Sequence, residues 1–441
     1  MTQAYLDADE VAAILGISKS TLYSYVSRGL IRSEETGGTT RARRYLAVDV
    51  QALQQRKEHR RNPAKAAAAA LHFGDPVLES AITLIADGRL YYRGQDALAL
   101  AEAHTFEEVA ALLWTGTMAG VKEPNGMAGV DRSPPLPLAI TPTIHALVTQ
   151  GHVADALQMA LLATAPTDLA AYNQAAEAVA KTGMRILLCL IALLTTLDRT
   201  TGRDKAEERA VRREGAVEEE GRAPQGATAS TIAEQLQCVW APHQPQVTQL
   251  LDVALILCAD HELNASSFTA RCVASTGATP YAAVVAALAA LQGYKHGGAT
   301  RAVALFLQAA AENPERATQE RLRSSGGLPG FGHPLYPQGD PRGALLLTLA
   351  QRHCVDRQAF AKATQIIAVA RQALGVEPNL DFGLTVLAQS MGLPEHAPFA
   401  LFALGRTAGW IGHVIEQYQL DRLIRPRAQY IGRQPQDRSH P

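Results

Sequence analysis

Apolar positions along the chain recur mostly at helical spacing. Near the N-terminus Val11, Ile14 and Leu15 share one face of a short helix that Gly16 stops. A second helix follows at once, with Ser18 as its N-cap, Leu22 and Val26 as its buried stripe and Gly29 at its end. Residues 58–70 lose the period: Pro63 interrupts the preceding helix and a run of alanines follows Lys65, so a linker is expected there. From Leu71 helical periods resume and run with short breaks to the end of the chain. Thr105–Thr115 opens with a capping-box pattern, Thr105 with Glu108, and Tyr281–Gln292 is an apolar run ended by Gly293. One stretch departs from this: residues 201–230 are crowded with mixed charge and glycine, bury little apolar surface and read as a surface insertion. The longest largely apolar run, Ile186–Leu197, is shorter than the ~20 residues a bilayer crossing takes, so no membrane partner is expected.

Composition sharpens this into a fold class. The 441 residues have room for two or three domains, and 47% hydrophobic with only 5% aromatic residues favours helices over sheets, giving a mainly α protein. The net charge of -1 offers no long-range field to draw in nucleic acid, but it averages unlike halves: residues 1–65 hold eleven basic and seven acidic side chains, a net of +4. The five cysteines are scattered and include no C-x-x-C pair, which predicts neither a disulfide framework nor a zinc site. The polar, acidic N-terminus lacks the form of a signal peptide, so a cytoplasmic protein is expected.

The two N-terminal helices joined by a glycine turn form a helix-turn-helix pattern, in which the second helix lies in the DNA major groove. The run V-A-x-x-L-G-I-S-x-x-T-L-Y-x-Y, followed by R-G-L-I and R-A-R-R-Y, resembles MerR-like and excisionase-like helix-turn-helix proteins over about residues 5–57, within a domain expected at 1–57. The resemblance implies a small winged domain. Lys19, Ser20, Tyr23 and Arg28 on the second helix would meet bases and phosphates, with Arg43 and Arg44 gripping the backbone. DNA is the expected partner of residues 1–57; the same fold also serves as a protein docking module.

Chemistry-bearing residues gather at helix breaks in the C-terminal half: Asp260-His261-Glu262-Leu263-Asn264, Lys295-His296-Gly297-Gly298-Ala299, Gly330-Phe331-Gly332-His333 with Asp340-Pro341-Arg342, and Pro378-Asn379-Leu380-Asp381-Phe382. Histidine with carboxylate serves either a metal or acid–base catalysis. Metal sites show tight spacing such as H-E-x-x-H, which these histidines lack, so acid–base chemistry on an anionic substrate held by arginines is the stronger reading, with no metal. No P-loop and no dinucleotide-binding glycine motif follows a strand.

These runs, A-D-H-E-L-N-A-S-S-F, H-G-G-A, G-F-G-H-P-L-Y…D-P-R, P-N-L-D-F and G-R-T-A-G-W-I-G-H-V-I-E-Q followed by I-R-P-R, resemble citrate synthases in order and spacing. I-A-D-G-R-L-Y-Y-R-G and F-E-E-V-A-A-L-L-W-T-G upstream resemble the start of the same enzymes. The resemblance implies a two-domain helical fold: a large domain from 71–299 and 401–441 carrying the insertion at 201–230, and a small domain from 300–400. It implies a homodimeric acyltransferase of the tricarboxylic acid cycle that condenses acetyl-CoA with oxaloacetate, with no cofactor. Asp381 matches the family's base, His296 the residue that stabilises the enol, and His333 the one that polarises the ketone. His261, Arg342 and Arg406 match residues that hold oxaloacetate, and Arg425 matches an arginine contributed by the neighbouring subunit. Propionyl-CoA, giving 2-methylcitrate, is the alternative substrate, and a metabolite-sensing regulator the alternative role. Several positions depart from the family: Pro334 and Pro337 stand where relatives carry basic residues that hold CoA phosphates, Thr300 replaces an Asn, and Cys258 stands where some relatives have a second His. Lys295 and Arg301 are the nearest candidates to supply the missing charge.

Overall fold

The computed structural model describes residues 5–35, 43–47, 49–50, 53–54, 78–118, 140–211, 231–323, 327–428 and 430–433, with the backbone alone for 35 and 197–211. Contacts divide the chain into two compact units, Met1–Glu79 and Ser80–Pro441. The linker expected at 58–70 lies outside the described residues.

In the first unit, helix α1 (Ala8–Leu15) starts on a capping box: Asp7 accepts from the backbone N–H of Asp9 and Glu10, and Glu10 accepts in return from that of Asp7. Gly16 ends it in the left-handed conformation, φ +57°, where a side chain would be strained. Helix α2 (Lys19–Ser27) follows, with the Ser18 hydroxyl capping Thr21 N. Strands β1 (Tyr5–Leu6), β2 (Ser33–Glu35) and β3 (Arg43–Leu46) form an antiparallel sheet in the order β1-β3-β2. Val11, Leu15, Leu22, Ile31, Tyr45 and Val50 close its core. This is the winged helix-turn-helix that the sequence predicts.

The second unit opens with hairpins of β4 (Thr83–Ala86), β5 (Arg89–Tyr92) and β6 (Gln95–Asp96). Both two-residue turns, Asp87-Gly88 and Arg93-Gly94, have positive φ at each position, the twist that suits strands joined so tightly. Helices follow: α3 (Ala97–Ala103), α4 (Phe106–Thr115), α5 (Thr141–Thr149), α6 (Val153–Thr164) and α7 (Ala176–Val211). The Thr105/Glu108 capping box is present at the start of α4. Beyond them come α8 (Ile232–Trp240), α9 (Val247–Cys258), α10 (Ala265–Ala274), α11 (Pro280–Leu291) and α12 (Ala299–Ala309). The last are α13 (Pro314–Arg323), α14 (Pro341–His353), α15 (Arg357–Leu374), α16 (Leu380–Ser390) and α17 (Ala397–Leu420).

Three sequence expectations are modified. The charged stretch at 201–230 does not begin as a loop: α7 continues through its first part to Val211, and 212–230 lie outside the described residues. The apolar stretch is also longer than the sequence marks. Ala176–Thr196 is long and apolar enough to cross a membrane, yet 67% of the apolar window is buried inside the protein, as a core helix packed on α6, α8 and α17 would be. The domain boundaries expected at 299/300 and 400/401 fall inside α12 and α17; a seam belongs in a connection rather than in a hydrogen-bonded helix.

Helix α17 is the axis of the second unit, buried along nearly its whole length against α4, α7, α9, α10 and α11. Small residues permit that approach. A Cβ on Gly409 would lie 2.3 Å from Ala259 O and 2.4 Å from Asp260 Oδ1, and Gly409 N donates to Ala259 O at 3.0 Å. The end of α9 is thereby held backbone to backbone against the middle of α17. Helices α12 to α16 pack largely on one another, with α14 against α16 and α13 against α15.

Candidate active site

Six of the seven candidate site residues of the second unit converge where α9, α17 and the connections before α12, α14 and α16 meet. His261 sits in the turn after α9, 8% exposed. Its ring lies edge-on to that of His333, centroids 5.1 Å apart. Arg406, on α17 and 1% exposed, donates from Nε to Cys258 O at 2.7 Å, and its guanidinium lies over the Phe402 ring. Phe402 in turn meets the His296 ring edge-on at 6.1 Å. Asp340, the N-cap of α14, grips Arg342 through a two-pronged pair, Nε to Oδ1 at 3.0 Å and Nη2 to Oδ2 at 2.8 Å. Burial alone would raise the Asp340 pKa, but the charge and hydrogen bonds of Arg342 outweigh it and hold the carboxyl below its ordinary value.

The turn carrying His296 runs through Gly297 and Gly298. At Gly298 a Cβ would come 2.5 Å from Gln292 O, so the loop folds back on the end of α11 only with glycine there. Burial, reinforced by the charge of Arg406, lowers His296 to about 4, so its imidazole is neutral near pH 7. Its Nε2 lies 2.8 Å from Ser266 Oγ, which also accepts from Trp410 Nε1 at 3.1 Å. Asn264 Oδ1 already takes the backbone N–H of Ser266 and Ser267. The Ser266 hydroxyl donates to that same Oδ1 at 2.8 Å, which leaves its oxygen to accept from Nε2.

His333 is likewise lowered to about 4, by burial and by Arg342. Its tautomer follows from one bond: Leu335 N donates to Nδ1 at 3.2 Å, and a backbone amide can only donate. The proton of the neutral ring thus sits on Nε2. Asp381 occupies the first turn of α16, its N–H capped by Asn379 Oδ1. Its Oδ1 is buried with no hydrogen-bond partner among the described residues, and burial pushes the carboxyl up to about 7 against the pull of Arg342 and Arg406.

The seventh residue, Arg425, stands apart, exposed on the segment after α17. Lys295 and Arg301 are both exposed; Arg301 lines a separate cleft of about 460 Å³ with Leu305, Lys362 and Glu395 that contains none of the six. Among the described residues no group of three or more metal-binding side chains is gathered. Ser266 and Tyr336 belong to the constellation as well; both lie inside the quoted runs A-D-H-E-L-N-A-S-S-F and G-F-G-H-P-L-Y, but neither stands out there as a site residue. In the first unit Lys19, Ser20 and Tyr23 on α2, Arg28 at its C-cap, and Arg43 and Arg44 on β3 are all exposed. Lys19 pairs with Asp9 at 2.6 Å, and Arg44 lies over the Tyr5 ring.

A pair of neutral imidazoles, that of His333 with its proton on Nε2, a carboxylate near neutrality with one unpartnered oxygen and two buried guanidiniums can move a proton and hold developing negative charge on an anionic substrate. Comparison with known proteins agrees with that chemistry. Residues 73–427 match the family described as citrate synthase, C-terminal domain, and residues 5–58 match a helix-turn-helix domain. The chain is 30% identical over 362 residues to citrate synthase 2 of Bacillus subtilis, covering 80% of this chain and 93% of that protein. It is 30% identical over 367 residues to 2-methylcitrate synthase 2 of Corynebacterium glutamicum, covering 79% and 90%. The crystal structure of citrate synthase from Thermotoga maritima superposes with a TM-score of 0.66 at 28% identity, covering 82% of this chain and 96% of that one. The chain therefore belongs to the citrate synthase family, an enzyme of that type joined to an N-terminal helix-turn-helix domain.

Proposed function

We propose that the second unit condenses acetyl-CoA with oxaloacetate and hydrolyses the resulting thioester to citrate and CoA. The observation that carries this reading is Asp381 Oδ1, a buried carboxylate oxygen with no hydrogen-bond partner among the described residues. In the proposed sequence Asp381 removes a proton from the thioester methyl group, and the neutral His296 imidazole donates an N–H to the thioester oxygen as negative charge gathers there. The methyl carbon then attacks the ketone carbon of oxaloacetate while His333 Nε2–H polarises its oxygen. Arg342, Arg406 and His261 hold the substrate carboxylates, which guanidiniums suit because they stay charged when buried. Water then cleaves the citryl thioester, and CoA leaves as the thiol.

A homodimer, with Arg425 reaching the neighbouring site, belongs to the same proposal; the exposed position of Arg425 in the single chain supports it. The test is release of CoA thiol by the full chain given oxaloacetate with acetyl-CoA or propionyl-CoA. Acetyl-CoA is expected to be preferred; a propionyl preference would assign a 2-methylcitrate synthase, a difference of one methylene and about 1–3 kcal/mol. Asp381→Asn and Arg425→Leu chains, each inactive alone, are expected to regain part of the activity when co-refolded, because mixed dimers carry one intact site. Thiol release no faster than buffer from either acyl donor rejects enzymatic turnover in favour of a sensing role.

For the first unit we infer DNA binding through α2 and the β2–β3 wing, supported by the exposure of all six candidate residues there. Binding to a mixed-sequence duplex is expected to weaken steeply between about 50 and 200 mM salt and to disappear on removing residues 1–65. A truncated chain that retains the duplex equally well overturns this reading; salt-independent capture of a protein instead assigns docking.

A further inference from the structure

Tyr336 touches three of the candidate residues at once. Its hydroxyl oxygen lies 3.0 Å from His261 Nε2, its ring centroid 5.1 Å from that of His333, and the Arg342 guanidinium 5.3 Å above its ring. The side chain is 2% exposed, deep among the substrate-facing groups rather than on the surface. Its loop holds it rigidly. Tyr336 N donates to His333 O and Gly339 N to Tyr336 O, both at 3.0 Å, while Pro334 and Pro337 on either side fix their own φ angles. The two prolines that replace basic residues of the family pattern thus acquire a use, as stiffeners of the turn that presents this ring.

The direction of the hydrogen bond follows from the chemistry of the pair. Burial raises the phenol to about 12, so it keeps its proton throughout the working range. Burial, with the charges of Arg342 and Arg406, holds His261 well below the ordinary imidazole value, so that ring is neutral. A neutral imidazole nitrogen is a better acceptor than a phenol oxygen, and the hydroxyl therefore donates to Nε2.

We propose that Tyr336 is a positioning residue that fixes the tautomer of His261: its hydroxyl occupies Nε2 and leaves Nδ1–H as the donor for a substrate carboxylate. A second task is borne by the ring, which packs against His333 and limits the directions its Nε2–H can take. The proposal rests on reading the site as one for oxaloacetate, and its two tasks separate by substitution. Tyr336→Phe removes the hydroxyl and keeps the ring; Tyr336→Leu removes both.

The experiment uses the full chain. Long-range ¹H–¹⁵N spectra of ¹⁵N-histidine-labelled, unliganded protein report the tautomer of each neutral histidine, with His261→Gln to identify the resonance. The native chain is expected to show His261 in the Nδ1–H form, and Tyr336→Phe to move it to the Nε2–H form or a mixture. In the thiol-release assay Tyr336→Phe is expected to raise KM for oxaloacetate about tenfold while kcat falls no more than threefold. Tenfold corresponds to about 1.4 kcal/mol, the upper part of the range for one neutral hydrogen bond. Tyr336→Leu is expected to lower kcat at least a further tenfold. An Nε2–H resonance in the native chain, an unchanged spectrum in Tyr336→Phe, or a native KM in that variant each overturns the proposal. Should the native chain turn over no oxaloacetate, the functional reading fails while the spectra still decide the tautomer.

Discussion

Asp381→Asn is expected to lower kcat for CoA release by about 10²–10⁴, the range contributed by a well-placed general base. The amide keeps the shape of the carboxyl and its place in the first turn of α16, but it cannot take the methyl proton. The pH profile gives a second reading. Because the Asp381 carboxyl is pushed up to about 7, and only its ionised form is a base, kcat/KM of the native enzyme is expected to rise along one limb centred near pH 7. His296 and His333, lowered to about 4, stay neutral over that range and add no limb of their own. Stability should move the other way. The folded pKa of about 7 exceeds the unfolded value of about 3.9. Between these values the folded state keeps a proton that the unfolded state has released, so native stability falls as pH rises through this window and levels off above pH 7. The Asn variant never ionises and escapes that loss. It is expected to have the higher denaturant midpoint at pH 8, with the gap closing toward pH 4. A variant that retains a tenth of native kcat, or a native profile flat from pH 5 to 9, would remove Asp381 from the role of base.

Features governed by neighbouring residues are legible in the sequence, and features governed by packing are not. The Ser18 cap, the Gly16 stop and the Thr105/Glu108 box each depend on a few adjacent residues, and all three stand where the sequence predicts them. The six converging site residues are legible because each falls in a run with a family pattern and five of them stand at or beside a glycine- or asparagine-bearing break between helices; Arg406, inside α17, is legible from its run alone. The β4–β5 hairpin was overlooked although Asp87-Gly88 between alternating residues is a strong hairpin signal; helix-favouring composition hid it. Ser266 and Tyr336 fall in those runs too, but nothing local in them marks either as a site residue. Ser266 is one hydroxyl in an ordinary first turn of a helix, and its meeting with His296 depends on how α10 packs beside the turn after α11.

His333→Ala is expected to lower kcat by about 10²–10³, the effect of removing one preorganised donor from a developing oxyanion. The size of the effect depends on where the ring proton lies. Leu335 N–H occupies Nδ1, so Nε2 must carry the proton, and a ring held neutral donates without first having to lose a charge. Such a donor polarises the ketone at every pH in the working range. The Ala variant is therefore expected to keep the native limb near pH 7, which belongs to Asp381, while its plateau drops. KM for oxaloacetate should change little, since Arg342 and Arg406 still meet the carboxylates and the lost bond strengthens chiefly as the ketone oxygen gains charge. In the proposed sequence the two residues serve consecutive steps of one turnover and the slower step governs the rate, so Asp381→Asn with His333→Ala together should cost less than the product of the separate losses. If His333→Ala instead shifted the limb by a full pH unit with its plateau intact, the imidazole would be tuning the base, and the ketone would have to draw its polarisation from another donor, with Arg342 and Arg406 the nearest charged groups.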